Sequence, residues 1–130
     1  MRSVAAGLVL LPLLGGLAAA GPLPFEGRWG WTEEACDLRP GESDMVPMEI
    51  ADGEISYYES HCTIDRVEPV GSGDGSAWTV TTRCTGEGET WTSRSIFAVD
   101  DRGDDRRRQL VDIDLGTGFV VVRQDCGAVR

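Results

Sequence analysis

From Cys62 to Cys84 the chain reads CTIDRVEPVGSGDGSAWTVTTRC, two extended runs around a loop holding Gly71, Gly73 and Gly75. A glycine-rich loop between runs of this kind marks a β-hairpin. Centred on Gly73, the hairpin pairs residues whose numbers total 146, and that register sets Cys62 opposite Cys84. Directly opposed residues of a non-hydrogen-bonded antiparallel pair hold their Cβ atoms within bridging range. Four cysteines allow three pairings. The register selects Cys62–Cys84 and leaves Cys36 for Cys126, which ties the end of the first strand to the end of the last. In the first arm Arg66 and Glu68 share a face with Ile64, so a bulge there shifts the register by one.

Outward from this hairpin, alternation continues in both directions. Phe25, Trp29 and Trp31 fall on one face of the opening run, and Glu26, Arg28 and Thr32 on the other. Val46, Met48 and Ile50 precede Asp52-Gly53, and Ile55 and Tyr57 follow it. Asp-Gly supplies the two positive-φ positions of a type I′ turn, and a two-residue loop there sets Ile50 against Ile55 and Met48 against Tyr57. Trp78, Val80 and Thr82 share a face, and Gly86-Glu87-Gly88-Glu89 turns the chain into Trp91, Phe97 and Val99. Val111, Ile113 and Leu115 alternate with Asp112 and Asp114, and Gly116-Thr117-Gly118 leads to the closing run 119–123. Seven or eight short strands at this spacing describe an all-β antiparallel meander, closed as a barrel or folded as a sandwich. The expected core holds the four tryptophans, Trp29, Trp31, Trp78 and Trp91.

Residues 1–20 read differently. Arg2, the apolar run 4–17 and Ala18-Ala19-Ala20 have the layout of a secretory signal peptide, too short and too broken by Gly and Pro for a membrane span. One β-domain, residues 21–130, is the expected remainder. An exported domain with four cysteines and no C-x-x-C spacing reads as a two-disulfide scaffold, in the periplasm or outside the cell, and not as a metal centre. After residue 20 there are 22 acidic residues against 11 arginines, with no lysine and one neutral histidine, a net charge of −11. Nucleic acid and anionic membrane both require a basic face and are excluded as partners. No cysteine follows the signal region to take a lipid anchor.

Candidate chemistry is sparse. His61, the single histidine, lies between Ser60 and Cys62 with Glu59 nearby. Neighbours along a strand diverge, and a bridged Cys62 is no nucleophile, so no catalytic residue is assigned and Glu59–His61 reads as an ion pair at a strand end. Asp100-Asp101-Arg102-Gly103-Asp104-Asp105 is the one dense acidic run, but it lacks EF-hand spacing and Arg102 with Arg106-Arg107-Arg108 neutralises it. No metal and no cofactor are expected.

Gly27-Arg28-Trp29 resembles the G-x-W opening of lipocalins, and with Cys36 it resembles the start of small periplasmic barrel inhibitors of the Inh type. Tyr57-Tyr58-Glu59-Ser60 and Gly86-Glu87-Gly88-Glu89-Thr90-Trp91 are similar to stretches of short bacterial exported proteins. The resemblance implies a closed or nearly closed eight-stranded barrel, lipocalin-like, with Trp29 packed at its closed end and Arg123 stacked on Trp29. Two functions are expected, the first on the charge of −11, the disulfides and the absence of a catalytic constellation, the second on the barrel form. The first is a monomer acting non-enzymatically by contact with a cationic exported or host protein, as an inhibitor of a hydrolase acts. The second is a carrier of a small apolar ligand in the barrel mouth.

Ala18 and Ala20 occupy the small-residue sites before a cleavage point, so the exported protein is expected to begin at Gly21. N-terminal sequencing of the exported fraction checks this, and a chain beginning at Met1 contradicts it.

Overall fold

A computed structural model describes residues 21–72, 75–101 and 107–129. The proposed signal peptide and residues 102–106 of the acidic run lie outside the described residues. Eight antiparallel strands follow in chain order: β1 (Gly27–Gly30), β2 (Met48–Ala51), β3 (Glu54–Tyr57), β4 (Ser60–Pro69), β5 (Ala77–Gly86), β6 (Glu89–Asp100), β7 (Gln109–Asp114) and β8 (Val120–Asp125). Each pairs with the next, and β8 pairs with β1, so the meander closes as a barrel and not as a sandwich. A short 3-10 turn, Glu34–Asp37, lies in the long connection from β1 to β2. Closure pairs every strand on both sides, although β6 before Ser95 and β4 after Thr63 extend past their β7 and β3 partners.

The local hairpins form as their turn residues dictate. Asp52 and Gly53 take φ of 54° and 78°, the type I′ signature, and Ile50 pairs with Ile55. Cys62 pairs with Cys84, and the register then slips by one between Ile64 and Arg66. Asp65 is the extra residue of that bulge. Its carboxylate accepts two hydrogen bonds from Arg83, at 2.7 and 2.9 Å, so the bulge is fixed to the neighbouring strand. Both disulfides form, Cys62–Cys84 and Cys36–Cys126. The second packs on Gly30, where a Cβ would stand 2.9 Å from the Cys126 sulfur and 3.2 Å from that of Cys36. Only glycine admits the bridge so close to β1.

One end of the barrel is filled. Phe25, just before β1, is fully buried and meets Trp78 at 5.5 Å and Phe97 edge-on at 5.3 Å. Trp29 is also fully buried, and its indole N–H donates to the Phe25 carbonyl at 2.9 Å, so its one polar atom is satisfied. Ile50, Val80 and Leu110 complete the plug.

Two of the expected core tryptophans lie elsewhere. Trp31 is 36% exposed, because β1 ends at Gly30 and the ring reaches the barrel rim. Trp91 is 38% exposed. It pairs with Cys84 in the part of β6 before Ser95, the first residue of β6 to pair with β7, so this stretch overhangs the barrel. The expected stack of Arg123 on Trp29 is also corrected. Trp29 pairs with Asp125 and Gly30 with Gln124, which carries Arg123 one step beyond β1, over Trp31 at 4.5 Å. Arg108 covers Trp29 instead, at 5.0 Å.

Removing Cys36–Cys126 by paired alanine substitution is expected to cost more stability than removing Cys62–Cys84. The separations are 90 and 22 residues, which loop-closure entropy converts to about 4.6 and about 3.4 kcal/mol. Denaturant unfolding of the two double variants decides the order.

Candidate functional site

The register of β7 sets the chemistry of both barrel surfaces. Phe97 pairs with Asp112 and Val99 with Leu110, and Phe97, Val99 and Leu110 belong to the core. Asp112 and Asp114 therefore share the inward face with Leu110, and Val111 and Ile113 face out. The neighbouring strands add Thr82, Ser93, Ser95 and Arg123 to the inward face at the open end. Beyond the aromatic plug the interior is thus a cavity of about 230 Å³. Met48, Ile55 and Val80 form its apolar floor, and Trp31, Tyr57 and Phe119 stand at its mouth.

Three charged groups face this cavity and are held differently. Asp114 is committed to the β7–β8 turn, accepting from the Thr117 N–H at 2.7 Å and the Thr117 hydroxyl at 2.9 Å, which holds its carboxyl below the usual range. Asp112 has the Ser95 hydroxyl beside it, and burial pushes its carboxyl up more than the nearby Arg123 pulls it down. Arg123 is 9% exposed. Its guanidinium lies over the Trp31 ring, its Nε finds no hydrogen-bond partner, and Asp112 acts on it through space. Burial lowers its proton affinity and, in the same environment, raises that of Tyr57. An arginine carries five donors, and one left unpartnered in a buried position is costly.

Outside, the same alternation gives an apolar ladder. Ile96 pairs with Ile113 and Ile113 with Val120, while Ala98 pairs with Val111 and Val111 with Val122. Val120 and Val122 are 54% and 44% exposed, and Leu115 at the end of the ladder is 44% exposed. A contiguous apolar patch on a protein surface ordinarily marks a contact site.

His61 lies elsewhere on the outside of the barrel. Its partners come from β3: Ser56 Oγ is 3.1 Å from Nδ1 and Glu54 Oε1 is 3.5 Å from Nε2. Glu59, the expected partner, sits in the β3–β4 turn at a φ of 50°. Serine, imidazole and carboxylate meet here by cross-strand register, with His61 and Glu54 half-exposed. Among the described residues no group of three or more His, Cys, Asp or Glu is placed to hold a metal ion.

No family model matches this chain, and no curated protein and no solved structure matches it. The inward aspartates are beyond local sequence reading, because alternation along β7 does not say which face is inside, whereas Arg123 is buried as expected but over Trp31.

A stability profile reports on Asp112. Its folded proton affinity is raised, so below its ordinary range, near 3.8, folded and unfolded forms are both protonated and no cost arises. As pH rises through the elevated folded value, the fold must ionise a buried carboxyl and stability is lost. Asp112→Asn is expected to stabilise the protein at pH 7, with the advantage gone near pH 3. Denaturant unfolding at both values checks the sign.

Proposed function

We propose that the protein acts without catalysis, docking on a basic exported or host protein through the outer face of β6–β8. The observation that carries this reading is the six-residue ladder of Ile96, Ala98, Val111, Ile113, Val120 and Val122, with its β8 members half-exposed. Burying these residues against a partner removes apolar surface from water, the main favourable term in association. The chain supplies the long-range part as well. With 22 acidic residues against 12 arginines it carries a net charge of −10, which speeds encounter with a cation-rich partner. A hydrolase such as a lysozyme or a protease fits that description, and inhibition is the form the contact would take.

Two disulfides are consistent with an oxidising, exported environment. The filled end of the barrel argues against the carrier of a long apolar ligand, since Phe25, Trp29, Trp78 and Phe97 occupy the space it would need.

The test is capture from the exported fraction with immobilised protein, wild type beside Val120→Ser/Val122→Ser. Both positions are exposed and outside the core, so folding is expected to persist. The wild type should retain a basic protein in a salt-sensitive way, and the double variant should bind it at least tenfold more weakly. His61→Gln, away from this face, should keep the partner. Equal capture by the double variant overturns the assignment of the face, and loss with His61→Gln moves the site to Ser56, His61 and Glu54.

A further inference from the structure

The cavity at the open end has no role in that contact, and its charges are arranged unlike those of a structural ion pair. Arg123 and Asp112 both face it, Arg123 buried and Asp112 half-buried. Two opposite charges removed from water normally meet in a direct, hydrogen-bonded pair, because only that geometry repays their desolvation. Here they stay apart. Arg123 is stacked on Trp31 with Nε unpartnered, and Asp112 has a serine hydroxyl, Ser95, as its close polar neighbour. Asp114, the third charge, gives Oδ1 to the turn, and its Oδ2 accepts from the Ser93 hydroxyl at 3.4 Å.

A single guest with both a negative and a positive group would complete both partners at once. A carboxylate matches the planar donor fork of a guanidinium, and an ammonium matches a carboxylate. Between the charged wall and the plug lies an apolar floor of Met48, Ile55 and Val80, with Phe97 beside Asp112. The volume, about 230 Å³, accommodates a molecule of amino-acid size. We propose that the open end of the barrel is a binding site for a small zwitterion of the amino-acid type with an apolar side chain, its carboxylate on Arg123 and its ammonium on Asp112. The Trp31 ring holds the guanidinium by a cation–π contact, and with Nε enclosed the ligand carboxylate would meet the terminal nitrogens.

Trp31 also supplies the readout, since it lines the site. Tryptophan fluorescence and calorimetry would follow the full exported chain titrated with L-leucine, with 4-methylpentanoate, which lacks the ammonium, and with 3-methylbutylamine, which lacks the carboxylate. L-leucine is expected to bind at least tenfold more tightly than either analogue. Arg123→Gln should reduce L-leucine affinity at least tenfold, and Arg94→Gln, on the outer face of β6, should leave it unchanged. Circular dichroism would confirm that each variant is folded. If Arg123→Gln does not fold, the ranking of the three ligands on the wild type still decides the matter. No binding of L-leucine at millimolar concentration overturns the site. An analogue that binds as tightly as L-leucine, or unchanged affinity in folded Arg123→Gln, overturns the two-charge recognition. The outer-face variant Val120→Ser/Val122→Ser should bind L-leucine normally, so failure here is separable from failure of the protein-contact reading.

Discussion

In a closed barrel every strand residue has two directions available, inward or outward, and a shift of one residue exchanges them all. The constraint acts most strongly on β7. Leu110 is drawn into the plug beside Val99, and once it is inside, Asp112 and Asp114 must follow and Val111 and Ile113 must face water. The polar cavity and the apolar outer ladder are the two sides of that one choice. Neither would exist with β7 in the other register, which would bury valine and isoleucine and expose the aspartates.

Such an inversion costs stability, and other parts of the fold offset it. Apolar burial is concentrated at the closed end, where Phe25, Trp29, Trp78 and Phe97 pack around Ile50 and Leu110. Phe25 precedes β1 and acts as a stopper, its backbone carbonyl satisfying Trp29. The open end is reinforced covalently, since the Cys62–Cys84 bridge forms part of the cavity wall. The Cys36–Cys126 bridge joins the segments that follow β1 and β8, next to the pairing that closes the sheet. A small barrel with charges inside needs that kind of constraint more than one with a fully apolar interior does.

What the sequence disclosed was local, and what it withheld was not. The Asp52-Gly53 turn, the opposition of Cys62 and Cys84 and the bulge beside Ile64 each depend on residues within one hairpin. The second disulfide followed by elimination. Trp31 and Trp91 alternate correctly with their neighbours and still miss the core, because burial depends on which strands lie across from them. The partner of Arg123 differs from the expected one for the same reason: the β1–β8 pairing joins the two ends of the chain, and no local pattern reports its offset. His61 pairs with Glu54 across strands where its own strand suggested Glu59.

The placement of ionisable groups bears on the choice between catalysis and binding. A nucleophilic site needs a base, an orienting group and a stabiliser of developing charge around one point. Here the imidazole is outside the barrel wall with Ser56 and Glu54, and the buried guanidinium and carboxyl are inside it. The wall separates the imidazole from the titratable groups of the interior, Asp112 and Tyr57, which lie with Arg123. The interior has a fixed cation, an acceptor and an apolar floor. The exterior has an apolar ladder on the same β7 and β8 strands that carry Asp112 and Arg123. Occupation of either surface therefore bears on the same two strands.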